Sequence, residues 1–136
     1  MKIFLDSSAI IAYYNADDKY HAEASEIMEK IRRGQIPLTR FYTTDYILDE
    51  TLTFIEYVLG MHKLAVEVGE ALQTSPFTTM VRVDEETFRE AWRIFKDARG
   101  CSFTDCTLFA VMRKYGINHA FTFDKHFQDA SFQPIP

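Results

Sequence analysis

The sequence has little glycine and little proline, with five and four residues among 136, which leaves no room for long disordered linkers. It contains two cysteines, Cys101 and Cys106, which form no CxxC pair and are expected to be buried thiols rather than a disulfide. No apolar run approaches the ~20 residues that a membrane span requires. At the start of the chain an acid follows only three apolar residues, which excludes a signal peptide. We therefore expect a single cytoplasmic domain covering residues 1–136.

Positive charge is also scarce: the chain has 15 Lys and Arg residues and 20 Asp and Glu residues, which gives a net charge of −5. This balance argues against a broad surface that neutralises phosphates in tight, non-specific DNA binding. It does not exclude a nuclease, because a bound cation can supply the positive charge instead. Apolar residues, in contrast, make up 47% of the chain and aromatic residues 15%, so a dense core is expected.

Short apolar strands alternate with helical patterns along the chain. Strands are predicted at 2–5, 40–44, 79–83 and 119–123, and helices at 9–15, 21–33, 45–59, 62–74, 85–99 and 102–115. A short turn at 125–129 and an apolar end at 132–136 complete the chain. This alternation predicts an α/β fold, a three-layer α/β/α sandwich around a central parallel sheet.

Two aspartates directly follow apolar strands, Asp6 after the first strand and Asp124 after the last. In parallel sheets, ligands bind outside the carboxyl ends of the strands, so both acids point to one functional edge. Each aspartate taken alone fits a helix N-cap equally well. The pair is harder to explain by capping, because its members come from opposite ends of the chain and meet at one edge.

Two further acids lie on predicted helices. Asp105 stands three residues after Ser102 in "SFTD", which on its own favours a capping box over a functional role. Glu50 lies at the margin of the apolar face of its helix, whereas Asp49 lies on the solvated face. Glu50 is therefore either a site residue or a glutamate at the rim of the core that extends to solvent.

Four carboxylates that converge on one pocket repel each other, so protonation or a cation must relieve the repulsion. Oxygen ligands without Cys or His suit Mg²⁺ or Mn²⁺ rather than zinc. Such a cation can polarise a phosphodiester and activate water for its hydrolysis. The acids Asp6, Glu50, Asp105 and Asp124 are thus the predicted metal-binding and catalytic residues.

Four sequence blocks spread over almost the whole chain resemble the motif blocks of PIN-domain proteins, and of VapC-type toxin ribonucleases in particular. These blocks are "IFLDSSAII", "YTTDYILDETLTF", "SFTDCTLFAVMRKYGI" and "AFTFDKHF". The resemblance assigns the metal ligands to Asp6, Glu50, Asp105 and Asp124. It adds Ser7 as a possible supporting hydroxyl, with Thr104 and Thr122 as weaker candidates.

The resemblance also implies an activity and partners. Family members are Mg²⁺- or Mn²⁺-dependent endoribonucleases, usually homodimers, and the toxins of type II toxin–antitoxin pairs are silenced by a co-expressed antitoxin. We expect the dimer to form through the helices spanning 45–74. Lys125 and His126 occupy a stretch where some relatives carry a further acid, which leaves a one-metal mechanism open.

Two alternatives to a toxin stay open at the level of sequence. The chain could be an RNA-processing nuclease outside a toxin–antitoxin pair, or a non-catalytic module of the same fold that binds RNA or protein. A binding module would be expected to have lost one or more of the four acids. All four are present, which favours the enzyme.

Overall fold

A computed structural model of the protein describes residues 1–125 and the backbone of 133–134. The strands are β1 (Lys2–Leu5), β2 (Arg40–Thr44), β3 (Thr78–Val81), β4 (His119–Phe121) and β5 (Gln133–Pro134). The helices are α1 (Ser7–Tyr14), α2 (His21–Arg32), α3 (Asp45–Thr53), α4 (His62–Thr74), α5 (Glu85–Asp97) and α6 (Phe103–Tyr115), with a π-helical turn (Phe54–Val58) after α3. No helix in this described part of the chain has both the length and the apolar character needed to cross a bilayer.

The five strands form one parallel sheet in the order β3-β2-β1-β4-β5. Because crossovers between parallel strands are right-handed, α1 to α4 cover one face and α5 and α6 cover the other. The predicted α/β/α sandwich is therefore confirmed. The chain moves outward from β1 in one direction through β2 and β3 and then returns to the other side of β1 as β4. This reversal places a topological switch point, where ligand crevices form, between β1 and β4.

The centre of the fold is built from β1, β4 and α6. Ile3 and Phe4 of β1 and Ala120 of β4 are fully buried, as expected of a parallel strand covered on both faces. Helix α6 is buried continuously from Asp105 to Met112. The rigid parts of the molecule that carry Asp6 and Asp105 are therefore its most deeply buried elements.

Helix capping follows the sequence at several ends. Ser102 and Asp105 form the predicted capping box, with the Asp105 N–H donating to Ser102 Oγ at 3.0 Å and the Ser102 N–H donating to Asp105 Oδ2 at 3.3 Å. Asp84 caps α5, and Gly116 ends α6 in the left-handed conformation with a φ of 66°. These local signals explain why the helix boundaries could be predicted closely.

Five predicted elements differ from the structure by two residues or more at one end. The helix expected over 9–15 is Ser7–Tyr14, and the strand expected over 79–83 is Thr78–Val81. The helix expected over 45–59 is α-helical only to Thr53 and continues as the π-helical turn. The helix expected over 85–99 ends at Asp97, since Ala98 is already extended.

The strand expected over 119–123 ends at Phe121. The next backbone N–H groups in that loop bond to side-chain hydroxyls instead of to a neighbouring strand. The predicted turn at 125–129 and end at 132–136 lie outside the described residues, apart from Lys125 and the two residues of β5.

Candidate active site

Asp6 lies at the carboxyl end of β1 and is 3% exposed. Its backbone N–H bonds to the carbonyl of Phe121, which fixes it at the switch point beside β4. Its Oδ1 accepts the N–H of Ser7 at 2.8 Å, so Asp6 is also the N-cap of α1. The capping interpretation of Asp6 is therefore confirmed through Oδ1, and its role as a site residue stays a prediction.

Two hydroxyl groups hold the second oxygen of Asp6. Thr122 Oγ1 donates to Oδ2 at 2.7 Å and Ser8 Oγ donates to it at 2.9 Å. Thr122 Oγ1 in turn accepts the N–H of Asp124, and Ser8 Oγ accepts the N–H of Phe123. These two donor chains tie the loop after β4 to Asp6, and hydrogen bonds in series polarise one another.

Ser8 is the site residue that sequence reasoning missed. Its hydroxyl bonds to Asp6 and to the Phe123 N–H, which lies 115 residues away along the chain. A serine next to an N-cap is common, so no local signal distinguishes Ser8 from an ordinary first-turn residue. Only the position of Phe123 in the folded chain assigns this role.

Glu50 approaches the same edge from α3. Its Oε2 accepts the hydroxyl of Ser7 at 2.8 Å, which links α3 to the first residue after Asp6. Asp49, the adjacent carboxylate, and Glu50 are both exposed, so the bond to Ser7 rather than burial distinguishes them. The structure therefore places Glu50 rather than Asp49 beside the end of β1, as the position of Glu50 on its helix predicts.

Asp105 occupies the first turn of α6 and is 8% exposed. Its capping bonds to Ser102 orient the side chain, and a carboxylate at this position also interacts favourably with the positive end of the helix dipole. Thr104 lies in the same turn, and the contact that the structure describes is made by its carbonyl, which accepts the hydroxyl of Thr107 at 2.6 Å.

The electrostatics of these carboxylates show which of them lie near one another. The pKa of Asp6 is raised to about 6, chiefly by burial; the Thr122 and Ser8 bonds oppose this rise, and the charges of Asp105 and Glu50 contribute to it. Burial also raises the pKa of Glu50 against the lowering effect of the Ser7 bond, and the charges of Asp105, Asp124 and the adjacent Asp49 raise it too. Asp6, Glu50 and Asp105 are thus mutually repelling, and Asp124 joins the group through Glu50.

Two of these acids, Glu50 and Asp124, line an open cleft of about 630 Å³ together with Ser7 and Ser8, whereas Asp6 and Asp105 are not among the lining residues that the structure describes. The donors are all oxygens, the type that Mg²⁺ and Mn²⁺ prefer. Within residues 1–125, however, no three acidic, His or Cys side chains are arranged to hold an ion as they stand. The ligand atoms are therefore of the type that suits a hard divalent cation. To bind one, the side chains would have to leave their present hydrogen bonds and rotate toward it.

Comparison with known proteins agrees with this architecture. Residues 3–133 match the family model of the PIN domain. The chain belongs to the PIN-domain family. The PIN-domain resemblance inferred from the four sequence blocks is therefore confirmed, and Asp6, Glu50, Asp105 and Asp124 all fall within the matched range.

This PIN domain is similar to VapC proteins over most of its length. It is 34% identical over 135 residues to the 23S rRNA-specific endonuclease VapC20 of Mycobacterium tuberculosis, covering 98% of this chain and 97% of that protein. It is 29% identical over 109 residues to a VapC ribonuclease of Archaeoglobus fulgidus, covering 77% of this chain and 66% of that protein.

The fold of this PIN domain also agrees with a solved relative. The crystal structure of Mycobacterium tuberculosis VapC20, described as a Sarcin-Ricin loop cleaving toxin, matches with a TM-score of 0.84 and 32% identity. The match covers 96% of this chain and 95% of that one. The resemblance to VapC-type toxins therefore extends to the three-dimensional fold.

Proposed function

We propose that the protein is a divalent-metal-dependent endoribonuclease that hydrolyses phosphodiester bonds of single-stranded or structured RNA in the cytoplasm. We propose further that it is the toxin of a type II toxin–antitoxin pair. The observation that carries the proposal is the mutual repulsion of Asp6, Glu50 and Asp105 at the switch point of a VapC-like PIN domain. Folding gathers these charges at some cost, which a bound cation would offset.

Asp6, Glu50, Asp105 and Asp124 are the residues that would hold Mg²⁺ or Mn²⁺. When bound, such a cation supplies a Lewis acid that polarises the phosphodiester and lowers the pKa of water. The protein's own part is positioning. Ser8 and Thr122 bond to Asp6, and Ser7 bonds to Glu50, so these hydroxyls keep two of the carboxylates at the carboxyl end of β1 in the metal-free protein.

The direct test is cleavage of a labelled single-stranded RNA by the wild type and by Asp6→Asn and Asp105→Asn. Both variants remove a charge while keeping a side chain that can accept hydrogen bonds, so the folded circular-dichroism spectrum should persist. We expect cleavage to fall by at least about a hundredfold, the loss typical when a catalytic interaction is removed. Full activity in either variant would remove that residue from the site.

The relatives suggest which RNA to test first. Because the similar protein from Mycobacterium tuberculosis is named for cleavage of 23S rRNA and its Sarcin-Ricin loop, we propose this ribosomal stem-loop as the substrate. A synthetic Sarcin-Ricin stem-loop should be cut at one position, whereas a stem-loop of unrelated sequence should stay intact. Equal cleavage of both RNAs would favour a nuclease without this target.

The toxin role and the homodimer are tested separately from cleavage. Expression of the wild type should arrest growth, and co-expression of the neighbouring small gene should relieve the arrest if that gene encodes an antitoxin.

We place the dimer interface in 45–74, which is supported by the exposed apolar side chains of Tyr57 (83%) and Val58 (67%). Tyr57→Glu should then yield a monomer in light scattering. Dissociation by Trp92→Glu instead would move the interface to α5, where Trp92 is 50% exposed.

A further inference from the structure

The cleft beside the acids has a second wall that carries aromatic and basic side chains. This wall is formed by Lys19, Tyr20, Phe54, Phe123 and Lys125, which line the cleft together with Ser7 and Glu50. None of these five residues is among the proposed metal ligands. The composition of this wall, rings interleaved with cations, is that of a surface that binds single-stranded nucleic acid.

Lys19, Tyr20 and Phe123 form a three-layer stack. The rings of Tyr20 and Phe123 are parallel within 2°, with centroids 4.5 Å apart, and Lys19 Nζ lies 4.9 Å from the centroid of the Tyr20 ring. The stack is held at Phe123, because the Phe123 N–H donates to Ser8 Oγ and the Ser8 hydroxyl donates to Asp6. A cation–π contact with Tyr20 therefore positions Lys19 on the same stack that is bonded, through Ser8, to Asp6.

Lys125 and Phe54 complete the wall. Lys125 is exposed and directly follows Asp124, and within residues 1–125 neither it nor Lys19 is paired with a carboxylate. Phe54 lies one helical turn after Glu50 and is 37% exposed toward solvent. The exposed part of the Phe54 ring is therefore accessible for stacking with a base.

We propose that this wall is the subsite for the RNA strand next to the scissile phosphate, an inference that rests on the proposed endoribonuclease function. Lys19 and Lys125 bind backbone phosphates, and the ring of Phe54 stacks against a base. The two lysines also explain how a chain of net charge −5 admits an anionic strand to a site lined by acids, because they supply positive charge locally. Asp18 lines the same cleft, and its carboxylate is already engaged with the Tyr20 N–H at 2.8 Å.

The first test measures how RNA binding depends on salt. The probe is a short fluorescein-labelled single-stranded RNA, bound in EDTA so that cleavage does not interfere. Each lost phosphate contact should lower the slope of log Kd against log salt by about 0.7 for a single strand. Lys19→Ala and Lys125→Ala should each show this decrease. Lys30→Ala, near the far end of α2, is the matched control and should leave the slope unchanged.

The second test concerns base stacking. Phe54→Leu keeps an apolar side chain but removes the ring, so the affinity for the same RNA should fall about fivefold or more, with the salt slope unchanged. Phe77→Leu is the control. Phe77 is also exposed (65%), but it precedes β3, the outermost strand on the side of β1 away from β4. Equal losses in both variants would overturn the assignment of Phe54.

These outcomes separate the subsite from the function on which it rests. If Asp6→Asn abolishes cleavage while the lysine variants keep wild-type salt slopes, the subsite proposal fails and the nuclease stands. If the slopes change as expected but wild-type protein cuts no RNA, the cleft binds RNA and the nuclease proposal fails. A dimer that covers the wall would leave the probe unbound at any salt concentration, which would overturn the subsite.

Discussion

Ser7 Oγ donates a hydrogen bond to Glu50 Oε2 at 2.8 Å, across 43 residues of sequence. The N–H of the same serine donates to Asp6 Oδ1. Ser7 therefore connects the carboxylate at the end of β1, through its backbone N–H, to the carboxylate on α3, through its hydroxyl. This connection links two proposed metal ligands in the metal-free protein, and it makes the two neighbouring acids on α3 distinguishable by experiment, because Glu50 is the one that takes part in it.

Glu50→Gln should lower RNA cleavage strongly, by about a hundredfold or more, because the amide keeps an acceptor for Ser7 but loses the charge. Asp49→Asn removes a charge one residue away on the exposed side of α3 and should change the rate by less than about twofold. Steady-state cleavage of one labelled RNA under identical metal concentrations measures both. The opposite ranking would show that Asp49 is the functional acid.

Mg²⁺ or Mn²⁺ should raise the melting temperature of the wild type, because a ligand that binds only the folded state stabilises it. At a metal concentration one hundred times Kd, the gain is about 2.7 kcal/mol. Differential scanning fluorimetry in EDTA and in rising metal measures the shift. Asp6→Asn should lose most of it, and an unchanged wild-type melting temperature at millimolar metal would contradict the proposed site.

Thr122→Val should destabilise the protein by about 1–3 kcal/mol, because it removes the 2.7 Å hydrogen bond to a buried carboxylate without changing side-chain volume. Thr122→Ser keeps the hydroxyl and should recover most of that loss. Urea unfolding of the metal-free protein reports both values. Equal stability of the Val and Ser variants would mean that the bond to Asp6 contributes nothing measurable.

Asp6 should make the metal-free protein less stable as pH rises. The pKa of Asp6 is raised from 3.8 to about 6 in the folded state. At pH values between these two, Asp6 is therefore ionised in the unfolded protein but still protonated in the folded protein. The stability associated with protonated Asp6 is complete below pH 3.8 and is lost as pH passes through about 6. The loss is on the order of 2–3 kcal/mol.

Urea unfolding in EDTA between pH 4 and pH 7 measures this dependence. Asp6→Asn carries no titratable group there, so its free energy of unfolding should fall less than that of the wild type over the same range. Asp49→Asn is the control that keeps Asp6 and should follow the wild-type curve. A wild-type stability that rises with pH over this interval would contradict the raised pKa of Asp6.

The amino-acid sequence by itself determined the type of each main element and its approximate bounds. Alternation of apolar strands with helical patterns, together with caps such as Ser102 and stops such as Gly116, is local information and needs no tertiary contact. It also placed Asp6 at a strand end and separated Glu50 from Asp49, because strand termini and helix faces follow from residue spacing alone.

Only the tertiary structure decided how the acids are held and what surrounds them. The bonds from Thr122 and Ser8 to Asp6, the stack of Tyr20 on Phe123 and the cleft beside Glu50 all join segments that are far apart in sequence. Local propensity carries no signal for such contacts, because they depend on which strands become neighbours in the sheet. The strand expected to reach residue 123 ends at Phe121 for the same reason: the hydroxyl of Ser8, on α1, takes the Phe123 N–H that a strand would have used.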